Sequence, residues 1–251
     1  MTTKFENVNI KDKFKELIKP KGTSGILGGW TKFELIWLAV FTLIELYLFV
    51  AFKDSTIGLI ASLTGMLTVV LVAKGKISNY LFGTINALTY GYVAYTYGLF
   101  GEASLNLLFY FPTQLIGFIM WRKYEKSKVL AEKGEDIYTK RLSKKGWVIT
   151  TVSILIGAFI YAEILYFYDA QQVRLDSFAV VLSVTAQILM LKRYAEQWLL
   201  WILVNVLSIA LWVITLMQTG GNDWNMVVMW TAFLANSVWG YINWLRISKA
   251  K

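Results

Sequence analysis

Cysteine and histidine are absent from all 251 residues, and each absence removes a class of chemistry. Without cysteine there is no disulfide and no thiolate nucleophile. Without histidine, metal sites of the usual kind, Ser-His catalysis and imidazole proton relays are excluded. An intramembrane enzyme would therefore have few means of activating a nucleophile or a water. No GxxxxGK[ST] pattern cradles a phosphate, so ATP-driven pumping has no support. Charge is scarce too: 16% of residues are charged against 57% hydrophobic, with a mean hydropathy of +0.52. One soluble core cannot hide that much apolar surface, and lipid must cover it.

Runs long enough to cross a bilayer, roughly 17 to 25 residues each, fall near 32–52, 56–73, 78–98, 103–121, 147–168, 175–191, 197–217 and 225–245. The reading is an all-α membrane protein of about eight transmembrane helices. The first run lies too deep in the chain for a cleavable signal, so insertion of the whole protein is expected. Lys and Arg flanking the spans stay on the cytoplasmic side. With both termini cytoplasmic, the inner segments hold 23 of them and the outer loops only Lys53 and Arg174. The net charge of +9 is thus a membrane address rather than a sign of nucleic-acid binding. The stretch Lys4 to Lys21, with Phe14, Leu17 and Ile18 at helical spacing, reads either as an amphipathic surface helix or as a solvated tail. The basic loop Arg122 to Lys145 reads as a solvated connector.

The chain also resembles itself. A shift of about 119 residues lays Asn79, Phe82, Asn86 and Thr89 on Trp198, Trp201, Asn205 and Ser208. The preceding helix agrees at 118, Lys74 meeting Lys192. The following one agrees at 123, with Gly117 on Gly240 and Trp121 on Trp244. Three spans per repeat with one span between them give two parallel repeats, an arrangement that places a substrate site between the halves near the midplane. The expected division is a cytoplasmic N-terminal segment (1–31), an accessory helix (32–52), repeat 1 (56–123), a basic loop (124–146), a linker helix (147–168), repeat 2 (174–246) and a cytoplasmic tail (247–251). Duplication kept for packing alone is the plainer alternative.

In EQWLLWILVNV, Glu196 to Val206, the residues Trp198, Trp201 and Asn205 share one helical face. An unpaired amide in hydrocarbon costs several kcal/mol, so a neighbouring helix or a ligand must meet it. This Trp-x-x-Trp-x-x-x-Asn pattern, on the second helix of the second half of a 3+1+3 chain, resembles the signature of the PnuC family of bacterial nicotinamide riboside transporters, themselves similar to SWEET sugar transporters. The resemblance covers roughly residues 56 to 246. It implies facilitated diffusion of nicotinamide riboside across the bacterial inner membrane, trapping by a cytosolic nicotinamide riboside kinase, a homotrimer and no cofactor.

The residue chemistry suits such a substrate. Indole faces attract a desolvated cation by up to about 2 kcal/mol each, and amides both donate to and accept from hydroxyls and a carboxamide. Trp198 and Trp201 would hold the ring, while Asn205 and Asn86 take polar edges from the two halves. Gln114, Gln187 and Asn236 are further candidates, with Tyr110 and Trp239 closing the box. Each has a structural alternative: Trp198 as an interfacial anchor, the amides as interhelical bonds worth about 0.6 kcal/mol. Pro112 interrupts the fourth span and invites a kink. Carboxylates inside the apolar runs number two, Glu45 and Glu163, both outside the repeats, so uncoupled transport is favoured over proton coupling through Glu163. Thiamine or riboflavin transport and a non-transporting structural protein remain alternatives on the same residues.

Overall fold

The computed structural model describes residues 30–123, 137–167 and 173–249. It holds eight helices in that stretch: α1 (Lys32–Ala51), α2 (Thr56–Ala73), α3 (Asn79–Thr96), α4 (Phe100–Arg122), α5 (Lys144–Phe167), α6 (Val173–Leu191), α7 (Gln197–Thr219) and α8 (Asn225–Lys249). Lys4 to Lys21 and 124–136 lie outside the described residues. Five of the helices, α1, α2, α4, α5 and α7, are long and apolar enough to cross a bilayer, and Ser177–Leu191 of α6 is a shorter apolar stretch. Helices α3 and α8 are more polar, and both carry side chains that face a cavity described below.

Local sequence explains where the helices begin and end. Thr31 and Glu34 form a capping box at the start of α1, Thr31 Oγ1 accepting from the Glu34 N–H at 3.1 Å and Glu34 Oε2 from the Thr31 N–H at 2.9 Å, a motif of about 1 kcal/mol. The same Glu34 oxygen lies 2.6 Å from Lys74 Nζ, and both residues are buried. Burial lowers the Lys74 ammonium pKa while Glu34 pulls it back, so the pair staples α1 to the end of α2. Gly220 ends α7 in the left-handed conformation, which glycine adopts without a Cβ clash.

The links α2–α3 and α6–α7 share one geometry. Gly75 and Arg193 both have positive φ, 66° and 67°. Lys76 N–H bonds to Leu71 O and Tyr194 N–H to Leu189 O, each at 2.9 Å. Counterparts lie 118 positions apart, so at this point Tyr80 matches Trp198 and Asn79 matches Gln197, one residue away from the sequence-based register. Further along the chain, α8 bonds to α2 and α4 pairs with α6. Trp244 Nε1 donates to Val72 O at 2.8 Å and Trp121 Nε1 to Leu191 O at 3.3 Å. Asn236 Nδ2 donates to Val69 O and Gln187 Nε2 to Thr113 Oγ1, both at 3.0 Å.

Two further features depart from expectation. Before Pro112, α4 widens into a π-helical turn over Leu105–Tyr110. Proline cannot donate the bond a regular helix requires, and the Phe111 N–H reaches back to Asn106 O instead, so the interruption is a bulge of the kind found at functional sites. The basic loop is not wholly solvated: Ile137 and Thr139 are buried, Thr139 Oγ1 donates to Trp244 O at 2.7 Å, and Lys140 exchanges backbone bonds with Arg193 and Ala195. Burying Ile137 against the end of α8 favours docking over solvation. Helix α1 packs on α2 and α8, and α5 on α6; both leave long rows of exposed aliphatic side chains.

Candidate functional site

One face of α7 is polar and aromatic, and it turns inward. Trp198, Asn205, Ser208 and Trp212 are buried, whereas Leu203, Val206, Ile214 and Met217 on the other side are exposed. The buried row meets α2, α3, α4, α6 and α8 around a cavity of about 110 Å³, room for several water molecules where one needs about 10–15 Å³. Seven of the nine residues proposed from sequence line it: Trp198, Trp201, Asn205, Asn86, Gln114, Gln187 and Tyr110.

Most amide nitrogens here are spent on protein. Asn205 Nδ2 donates to Ser237 Oγ at 2.9 Å, and Asn86 Nδ2 to Ala61 O at 2.8 Å. Gln187 is held by Thr113, and Trp201 Nε1 donates to Gln197 Oε1 at 3.0 Å. Two buried polar atoms of the lining have no partner among the described residues: the acceptor Gln114 Oε1 and the donor Trp198 Nε1. Unsatisfied groups of this kind cost about 1–3 kcal/mol each. The lining contains no Asp, Glu, Lys or Arg.

Asn236 and Trp239 do not reach this cavity. Together with Phe33, Trp37 and Ala235 they line a separate recess of about 40 Å³ between α1 and α8. The Trp239 ring packs 5.1 Å from Phe33. The reason is helical phase: at about 100° per residue, the cavity takes the α8 face of Met229, Phe233 and Ser237, and Trp239 falls around the corner on the α1 side.

Sequence reasoning passed over Tyr90, Asn106, Trp230 and Ser237, all of which line the cavity. A signal existed for one of them: Asn106, Tyr110 and Gln114 recur every four residues on α4, the same spacing logic as the α7 row. Tyr90 is a hub. Its hydroxyl accepts from Trp212 Nε1 at 2.8 Å and from Trp230 Nε1 at 3.2 Å, and contacts Glu102 Oε2 at 3.4 Å.

Toward one end of the bundle stand the Tyr90 hub and a polar cluster in which Ser55 N–H bonds to Asp223 Oδ1 at 2.9 Å, Tyr97 Oη to Asp223 Oδ2 at 2.7 Å, and Asn225 N–H to Asp54 Oδ2 at 2.9 Å. Burial, helped by the neighbouring Asp223, pushes the Asp54 carboxyl up to about 6, and burial with the Asp223 contact pushes the Tyr97 phenol up to about 12. Toward the other end a chain of rings runs Tyr80–Trp121–Trp244–Trp198, with centroids 5.1, 6.0 and 5.9 Å apart. Neither Glu45, buried on α1, nor Glu163, exposed on α5, lines the cavity.

Comparison with known proteins gives the family. Residues 55–246 match the family model described as nicotinamide mononucleotide transporter. A nicotinamide riboside transporter PnuC from Neisseria mucosa is 44% identical over 224 residues, covering 89% of this chain and 85% of that protein. Its Haemophilus influenzae counterpart is 40% identical over 223 residues, 89% and 94% of the two chains. A crystal structure of the vitamin B3 transporter PnuC superposes with a TM-score of 0.83 at 44% identity, covering 90% of this chain and 95% of the other. This chain belongs to the nicotinamide mononucleotide transporter family and is a multi-pass membrane transport protein rather than an enzyme.

Proposed function

We propose that the protein carries nicotinamide riboside into the cell by facilitated diffusion, through the cavity between its two halves. The observation that carries this reading is the unpartnered pair in the lining, Gln114 Oε1 and Trp198 Nε1. A primary carboxamide supplies one donor group and one acceptor, which is the complement of that pair. Aromatic faces of Trp198, Trp201 and Tyr110 suit the flat pyridinium cation, and the amide oxygens of Asn86 and Asn205 suit ribose hydroxyls. The relatives' name supports the same substrate.

The family description names the mononucleotide, but a phosphate in this lining would meet no cationic side chain, and burying such a charge unpaired is prohibitively costly. The nucleoside is therefore the better match. The positions of Glu45 and Glu163 away from the lining support transport without proton coupling, and a cytosolic kinase that phosphorylates the entering nucleoside would hold it inside. The charge asymmetry supports cytoplasmic termini, the relatives' bacterial sources support a bacterial inner-membrane location, and the aliphatic faces of α1 and α5 would give a homotrimer its surfaces. The two halves act as parallel repeats, rocking to expose the cavity alternately.

The test is counterflow in vesicles containing the purified protein. Labelled nicotinamide riboside should exchange without a proton gradient, whereas the mononucleotide, thiamine and riboflavin should compete weakly. Strict dependence on a proton gradient, or preference for another vitamin, would overturn this reading.

A further inference from the structure

The one polar atom of the Trp201 side chain is spent on a residue that the ligand does not reach. Trp201 lines the cavity, but its Nε1 donates to Gln197 Oε1 at 3.0 Å, one turn back along α7, where residues four apart share a face. Its ring packs 6.1 Å from Tyr110 on α4. Gln197 itself is fully buried and lies outside the lining.

Packing alone would not choose glutamine at this position. Its Nε2 is buried with no partner among the described residues, a penalty that a methionine of similar length would avoid. The other half of the chain shows the contrast. In the register of the two matching turns, Gln197 falls on Asn79 and Trp201 on Gly83. Asn79, one methylene shorter, turns its amide back to Lys76 O, and Gly83 has no side chain to hold. The longer amide stands where an indole one turn on has an N–H to be met.

The bond selects between two orientations of the ring. Rotation by half a turn about the Cβ–Cγ bond, where tryptophan has a broad twofold preference, would carry the N–H to the opposite edge. Tying it to Gln197 fixes the ring plane and leaves the π face, rather than a donor, to a bound cation. Trp198 Nε1, buried without a partner among the described residues, remains the indole donor offered to a ligand.

We propose that Gln197 is a positioning residue for the substrate: without touching it, the side-chain oxygen holds the Trp201 ring in the plane that receives a cationic heteroaromatic ring. The inference rests on the reading of the cavity as a nicotinamide riboside site and deepens it. Loss of one neutral hydrogen bond that preorganises a binding surface changes an affinity by about fivefold.

Calorimetry with nicotinamide riboside on the purified full-length protein tests this as a double-mutant cycle. Gln197→Met keeps the length and removes the acceptor, while Trp201→Phe keeps a ring and removes the N–H. Gln197→Met should weaken binding by about fivefold or more in the wild-type background and by less than about twofold in the Trp201→Phe background. Gln197→Glu keeps an acceptor at a helix start, where a carboxylate is favoured, and should bind within about threefold of the wild type. Gln197→Leu carries the same expectation as Gln197→Met should the methionine variant fail to fold. Equal losses in the two backgrounds, no loss in either, or a glutamate variant as weak as the methionine one would overturn the proposal. A wild type that binds no nicotinamide riboside would instead remove the substrate reading on which it rests.

Discussion

A single methyl group placed outside the cavity should abolish its use. Gly240 on α8 lies under the Trp198 indole: a Cβ there would stand 2.6 Å from Trp198 Cε2 and Cζ2, and the indole must retreat by roughly 1 Å to reach ordinary contact. Trp198 is 2% exposed and packed edge-on against Trp244 at 5.9 Å, so its open direction is into the cavity. Overpacking of this kind costs about 1–3 kcal/mol of stability, and an indole pushed into a cavity of about 110 Å³ removes ligand space directly. Gly117 is the control. A Cβ there would meet the Tyr80 ring more closely still, but Tyr80 does not line the cavity. Gly240→Ala and Gly117→Ala should therefore lower the melting temperature by similar amounts in detergent, while nicotinamide riboside affinity falls more than tenfold only in Gly240→Ala. Comparable affinities in the two variants, whether both lost or both kept, would refute the assignment of Trp198 to the ligand.

Other variants separate structure from binding. Asn205→Ala loses its bond to Ser237 and should cost about 1 kcal/mol of stability but at least tenfold in affinity by titration; a stability loss alone would make Asn205 a helix joint. Lys74→Met strands the buried Glu34 charge and should destabilise by about 3–5 kcal/mol, with Lys74→Met/Glu34→Leu recovering most of it in denaturant unfolding. Because the folded protein raises the Asp54 pKa from 3.8 to about 6, its carboxyl is accommodated best when protonated. That contribution is complete below about pH 4 and fades as pH rises through about 6. The melting temperature of the wild type should fall between pH 5 and pH 7.5 relative to Asp54→Asn, and parallel profiles would contradict this.

The spans were legible because each is a continuous apolar run with polar ends, and the eight helices begin and end within a few residues of them. The α7 row was legible for a related reason: period 3.6 alone puts Trp198, Trp201 and Asn205 on one face, and a buried amide in a membrane cannot point at lipid. What sequence could not supply was rotation and long-range contact. Asn236 is one residue before the lining Ser237, and only the packing of α1 against α8 decides that it serves the recess instead. Tyr90 gains its role from indoles 122 and 140 positions away, a separation no local pattern encodes. Pro112 announced an interruption, but whether it resolves as a kink or a π-turn depends on which carbonyl the Phe111 N–H finds. The docking of Ile137 and Thr139 was hidden for the opposite reason, since the surrounding loop is so rich in lysine that solvation was the natural expectation.

The claim beneath all of this is that the cavity between the halves receives the pyridinium ring against the α7 indoles. Titrating nicotinamide riboside into the purified wild type and into Trp201→Ala measures it directly. A saturable heat in the wild type with at least a tenfold weaker affinity in Trp201→Ala is the predicted result; a flat wild-type titration, or equal affinity in the two proteins, would contradict it.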